Sequence, residues 1–140
     1  MKIYNGEGII LGRLGSAVAK DALLGEEIQI VNAEKVIISG NKVNSVAAYK
    51  RKRELKGYPL KSQTHSRLPE FYVRRSIRGM LPWKTARGKE AYRRIMCHRG
   101  VPVGLKDKEM VILNDATVKK LPTLKYITIG EICKTLGGKR

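Results

Sequence analysis

The chain has 140 residues, with 29 Lys or Arg against 12 Asp or Glu and a formal net charge of +17. Leu, Ile, Val and Phe together number 37, enough for one core at the usual size of a domain and too many for a charged disordered tail. Its two cysteines, Cys97 and Cys133, exclude a disulfide framework. No apolar run approaches the roughly 18 residues of a membrane span. The opening MKIYNGEGIIL lacks the charged head, apolar middle and small-residue cleavage site of a signal peptide. A reducing cytoplasm, no membrane partner and a polyanion as counterpart are expected.

The charge is concentrated. Residues 1–41 hold 4 basic and 5 acidic side chains, residues 42–99 hold 17 and 3, and residues 100–140 hold 8 and 4, so the segments carry −1, +14 and +4. No repeat or low-complexity stretch appears, and the Gly and Pro clusters punctuate rather than link. One domain over 1–140 with a basic segment at 42–99 follows.

Lys2 to Asn5 is a short candidate strand, and Gly6 and Gly8 allow a tight turn after it. Leu11, Leu14, Val18 and Ala22 recur at helical spacing and Gly25 ends that helix. Glu27 to Asn32 alternates as a strand, which Val36 to Ser39 extends or repeats. Gly40 and Asn41 open a second helix with Val43, Val46 and Ala47 predicted inward. Lys50, Arg51, Lys52 and Arg53 then surround the helix and leave no apolar face to lie on a core.

Residues 57–68 read as a loop, containing Gly, Pro, Ser and Thr without period. A helix starts at Pro69, beside Glu70, and runs through Val73 and Ile77 to about Met80. The next is predicted over Gly88 to His98, with Ala91, Tyr92, Ile95 and Met96 inward and Gly100 as its stop. Met110 to Leu113 and Tyr126 to Thr128 are strand-like, and Ile129 to Leu136 forms a final helix. Strand and helix alternating at the start favour a parallel sheet covered by helices.

The charged helices point to phosphate. Arg74, Arg75 and Arg78 crowd one helical face, and Lys89 and Arg93 repeat the arrangement with Arg94 adjacent. Like charges at these spacings repel, so anions are expected from outside the chain. Arg67, Arg87 and Arg99 extend the arginine bias of residues 67–99, where Lys84 and Lys89 are the only lysines. That bias suits bidentate phosphate geometry. Trp83, in the turn Gly79 to Gly88, can stack on a base or ribose, although a Trp beside Met80 and Leu81 is more often packing. With few aromatics, no base-reading platform is expected, and recognition by shape and backbone is favoured.

Other chemistry finds little support. Gly6, Gly8, Gly12 and Gly15 miss the dinucleotide fingerprint because position 11 is Leu, and packing at a helix start explains them better. Cys97 and His98, read as neighbours on a helix, diverge, and Cys133 stands apart, so no metal site and no cofactor are expected. His65, near Ser62 and Ser66, has no carboxylate close in sequence and reads as a solvated loop histidine. Catalytic residues and a small-molecule substrate are not expected.

LGRLGSAVAK at Leu11 to Lys20, IVNAEKVIISG at Ile30 to Gly40 and, above all, RGMLPWKTARGKEAYRRIMCHRGVP at Arg78 to Pro102 resemble the L-thirteen family of large-subunit ribosomal proteins. The likeness runs from residue 2 to about 105 and continues weakly to the end. HSRLPEFYVRRSIRG looks more like the archaeal and eukaryotic branch, and the chain lacks the eukaryotic C-terminal extension, so an archaeal type is expected. The resemblance implies a three-layer α/β/α fold with a four-stranded parallel sheet. It also implies an assembly role in the large subunit, with 23S-type rRNA and neighbouring ribosomal proteins as partners. It carries Arg75, Arg78, Lys84, Arg87, Lys89, Arg93 and Arg94 over as RNA-binding residues, and Lys50 to Arg53 join them from charge alone. Trp83 departs from the family pattern. A free RNA-binding regulator of translation and a small nucleotide-binding enzyme are the competing readings.

Overall fold

The computed structural model describes residues 1–55 and 66–138; most of the predicted loop 57–68, including Ser62 and His65, lies outside them. Strand β1 (Lys2–Asn5), helix α1 (Leu11–Leu23) and strand β2 (Ile28–Val31) open the chain as predicted. β1 and β2 pair in parallel, Lys2 opposite Ile28. The α1 stripe is buried at Leu14, Val18 and Ala22, while Leu11 is half-buried. Burying each such aliphatic side chain contributes about 1.5–3 kcal/mol. Gly15 shares the buried face, and a Cβ there would stand 2.6 Å from the Met80 sulfur. The glycine at position 15 therefore serves close packing.

Asn32 ends β2 in the left-handed region at φ 55°, a conformation Asn tolerates better than most residues. Its amide donates to the Asn5 side chain at 2.9 Å. A 3-10 turn follows at Ala33–Lys35, so Val36 to Ser39 does not extend β2. Strand β3 (Ile37–Ser39) instead pairs antiparallel with β5 (Tyr126–Thr128), Ile38 opposite Ile127.

Helix α2 (Lys42–Glu54) is capped by the Asn41 side chain, which accepts from Val43 N. Contrary to expectation, none of its residues is buried: Val43 is 74% exposed and Ala47 is exposed. Only Val46 and Tyr49 pack against the small cluster of Ile127, Ile132 and Leu136. Helix α3 (Pro69–Arg78) buries Tyr72, Val73 and Ile77.

The predicted helix over 88–98 divides into helix α4 (Ala86–Arg93) and strand β4 (Ile95–Cys97). Apolar residues at 91, 92, 95 and 96 suit a helix, but an open edge beside β2 takes the last of them. Ile95 pairs with Ile28 in parallel, and His98 N donates to Ile30 O at 2.7 Å. Cys97, His98 and Arg99 are consequently at or past a strand end and not on a helix. His98 meets the Gln29 side chain at 2.6 Å, while Cys97 packs against the main core.

The mixed α/β class holds, but the sheet differs from the four parallel strands expected. The described residues form a three-stranded parallel sheet in the order β1-β2-β4 and a separate β3-β5 pair. The fourth place, beside β1, is taken by Val111 alone: its N–H donates to Ile3 O at 2.7 Å and its carbonyl accepts from Asn5 N at 3.3 Å. Met110 to Leu113 is squeezed between the charged run 106–109 and a 3-10 turn at Asn114–Ala116, which leaves no length for a ladder. Helix α5 (Ile129–Thr135), capped by Thr128, closes the core with Ile129 and Cys133 against the same cluster as α1 and α3.

Candidate nucleic-acid interface

Because Tyr72, Val73 and Ile77 turn inward, α3 presents Phe71, Arg74, Arg75 and Arg78 on its outer side. Gly79 ends the helix, and Leu81 returns to the core at 6% exposure. The Thr85 hydroxyl caps α4 by accepting from Gly88 N at 3.2 Å and itself donates to Pro82 O at 2.8 Å. Position 88 has no room for a side chain, since a Cβ would stand 2.1 Å from that Pro82 oxygen. The glycine in the ARGK stretch thus lets α4 lie directly on the preceding turn.

Two rings on this surface hold the guanidiniums. Arg74 lies 4.6 Å over the Tyr92 ring, and its Nη2 donates to Tyr92 O at 3.5 Å. Tyr92 meets Trp83 edge-on, centroids 5.0 Å apart and planes at 89°. Arg78 lies 4.9 Å over Trp83. The result is a ladder of Arg74, Tyr92, Trp83 and Arg78. Each cation–π contact contributes about 0.5–1 kcal/mol at an exposed site and leaves the charge uncompensated. Two buried polar atoms in α3, Arg74 Nε and Glu70 Oε2, lack a hydrogen-bond partner.

The remaining candidate cations fall into separate groups. Arg87 and Arg94 donate to Leu23 O and Ala22 O, at 3.3 and 3.4 Å, so they close the C-terminal end of α1 and suit its dipole. Arg94 is also 3.9 Å from Glu90; leaving Arg75 aside, it is the only candidate cation in an ion pair among the described residues. Lys84, Lys89 and Arg93 are exposed around α4. Lys50, Arg51 and Lys52 are exposed at the end of α2, with Lys52 5.3 Å over the Tyr49 ring. Arg53 instead donates to Leu136 O. Tyr49 meets Tyr72 of α3 at 5.4 Å, which sets the basic end of α2 beside the arginine helix. Arg67 and Arg99 line a cleft of about 230 Å³ near α5, together with Lys35, Lys134 and the carboxylates Glu34 and Glu131.

Sequence reasoning missed Tyr92 as a support for Arg74, because the two are 18 residues apart and meet only in the fold. It also missed Lys35 and Lys134 beside Arg67 and Arg99, for the same reason. Phe71 was findable: it precedes Arg75 and Arg78 by four and seven residues, a helical face. Among the described residues no group of His, Cys, Asp and Glu could hold a metal ion.

An α/β body whose Arg74 and Arg78 rest on rings instead of carboxylates has the charge arrangement that suits a polyanion. The chain belongs to the ribosomal protein L13 family, whose model matches residues 1–104. It is 43% identical over 140 residues to "Large ribosomal subunit protein uL13" of Methanosarcina barkeri, covering 99% of each chain. It is also 43% identical to the proteins of that name from Methanocaldococcus jannaschii, over 99% of each chain, and Archaeoglobus fulgidus, over 96% of this chain and 86% of the relative. These archaeal relatives suit the expected archaeal type, and all are named as ribosomal proteins and not for a reaction.

Proposed function

We propose that this protein is a structural constituent of the large ribosomal subunit, in the cytoplasm, and that it binds and helps fold 23S-type rRNA during assembly. The whole chain acts as one domain, and its segment 42–99 makes the RNA contacts through Arg and Lys to phosphates. Neighbouring large-subunit proteins are its other partners. The observation that carries this reading is the ladder in which Tyr92 and Trp83 support Arg74 and Arg78 and leave their charge for an outside anion. Each phosphate so neutralised releases a counterion, which makes binding salt-dependent.

The test is binding of the full chain to folded large-subunit rRNA as salt is raised. Six or more neutralised phosphates lower affinity about a thousandfold between roughly 50 and 200 mM salt. Reversal of Arg74, Arg75 and Arg78 to Glu weakens binding by several kcal/mol, roughly 1.5–3 for each charge-assisted hydrogen bond to phosphate that is removed. An affinity indifferent to salt and to these reversals removes the reading.

A further inference from the structure

We propose that Trp83 and, on the outer side of α3, Phe71 are stacking positions for unpaired RNA bases, so that the arginine face takes looped or single-stranded RNA by its bases as well as its phosphates. The inference rests on the RNA-binding reading above and adds a second class of contact to it. The chain has one Phe and one Trp. Neither is given to the core: Phe71 is 52% exposed and Trp83 39%, while Tyr4 and Tyr72 are buried. A large ring left in water forgoes the main stabilisation it could supply, and both of these lie on the arginine face. Phe71 shares the outer side of α3 with Arg75 and Arg78, and Arg78 reaches over the Trp83 indole in the turn that follows.

Trp83 is also held in place before any ligand arrives. Its backbone N–H donates to Leu81 O at 2.7 Å, and Thr85 closes the turn through its backbone N–H and hydroxyl on Pro82 O, at 3.0 and 2.8 Å. Tyr92 supports the indole edge-on. An ordered ring loses little conformational entropy when a base lies on it. Stacking accepts any base, because each has a π-face, and a neighbouring guanidinium strengthens it. The expectation of packing for Trp83 is therefore half met: it packs against Tyr92 and keeps a large exposed surface. A stacking role departs from the expectation that the few aromatics form no platform, because both exposed rings lie on the surface that carries the arginines.

Trp83 is the only tryptophan, so its fluorescence reports this position alone. The full chain is titrated with a single-stranded oligoadenylate, a fully paired RNA duplex of equal phosphate number, and inorganic polyphosphate. The expected result is quenching by oligoadenylate and not by polyphosphate or duplex. Phe71→Leu lowers oligoadenylate affinity by roughly 10- to 100-fold and leaves polyphosphate affinity unchanged, and Trp83→Leu, which also removes the ring under Arg78, lowers oligoadenylate affinity by a larger factor than polyphosphate affinity. Phe71→Leu, at an exposed position, keeps the test decisive if Trp83→Leu disturbs the turn. Equal quenching by all three polyanions, or oligoadenylate affinity unaltered by the substitutions, overturns the platform and leaves the aromatic pair as a protein contact. If none of the three binds, the RNA-binding reading falls with it.

Discussion

Gly88 is the position where a single added carbon is expected to do most harm to the interface. A Cβ 2.1 Å from Pro82 O forces the backbone of the turn away from α4, and no flexible side chain can yield instead. Gly88→Ala is expected to lower the unfolding free energy by about 2–3 kcal/mol in urea denaturation. Gly79→Ala, where the Cβ would be 3.4 Å from Ser76 O in helical backbone, is expected to change it by under about 1 kcal/mol. The cysteines offer a second test. Burial pushes the Cys97 thiol up to about 12 and the Cys133 thiol up to about 11, from an ordinary 9.0. Both stay protonated near neutrality, so the folded protein is expected to resist iodoacetamide at pH 8 and to react at both sites once unfolded. Unfolded thiols ionise near 9, so the thiol contribution to stability is complete below that pH and is lost as pH rises through 11 and 12.

At the scale of elements, α2 stands apart. Thirteen residues with none buried cannot draw helical stability from a core, and an isolated helix of that length is marginal in water. Its attachments are Val46, the Tyr49–Tyr72 ring contact, Arg53 on Leu136 O and the exposed Lys42–Glu131 ion pair at 3.5 Å. Tyr49→Ala removes a ring pair of about 0.5–1.5 kcal/mol. Amide exchange over 42–54 is then expected to quicken roughly threefold to tenfold, with α1 unchanged; equal exchange in both proteins would show that Tyr49 does not hold the helix. The basic quartet was legible here and the helix's footing was not. Val43, Val46 and Ala47 form an apolar stripe in the sequence, but the short α5 and the two-stranded β3-β5 pair offer too little surface to cover it. The same kind of ambiguity explains β4: an apolar run of three residues fits a helix end or a strand until the open edge of β2 is present to pair with it.

Over the whole molecule, a charge of +17 acts against compactness, and anions relieve it. Phosphate is expected to raise Tm by roughly 3–8 °C over chloride at equal ionic strength, because a multivalent anion bound at the arginine face stabilises the folded state. Equal Tm in the two salts would mean that no anion site is assembled. The position of the charge along the chain, the helix that carries Arg74, Arg75 and Arg78, and the family likeness centred on Arg78 to Pro102 were all legible in the order of residues, because helical spacing and composition are local properties. What the fold alone decided is which cations lie together. Arg87 and Arg94 turn back onto α1, Arg67 and Arg99 join Lys35 and Lys134 in a cleft, and Arg74 and Arg78 stand on Tyr92 and Trp83. Those groupings depend on contacts between residues far apart in the chain, made only when the parallel sheet draws β4, and α4 before it, to the side of β2.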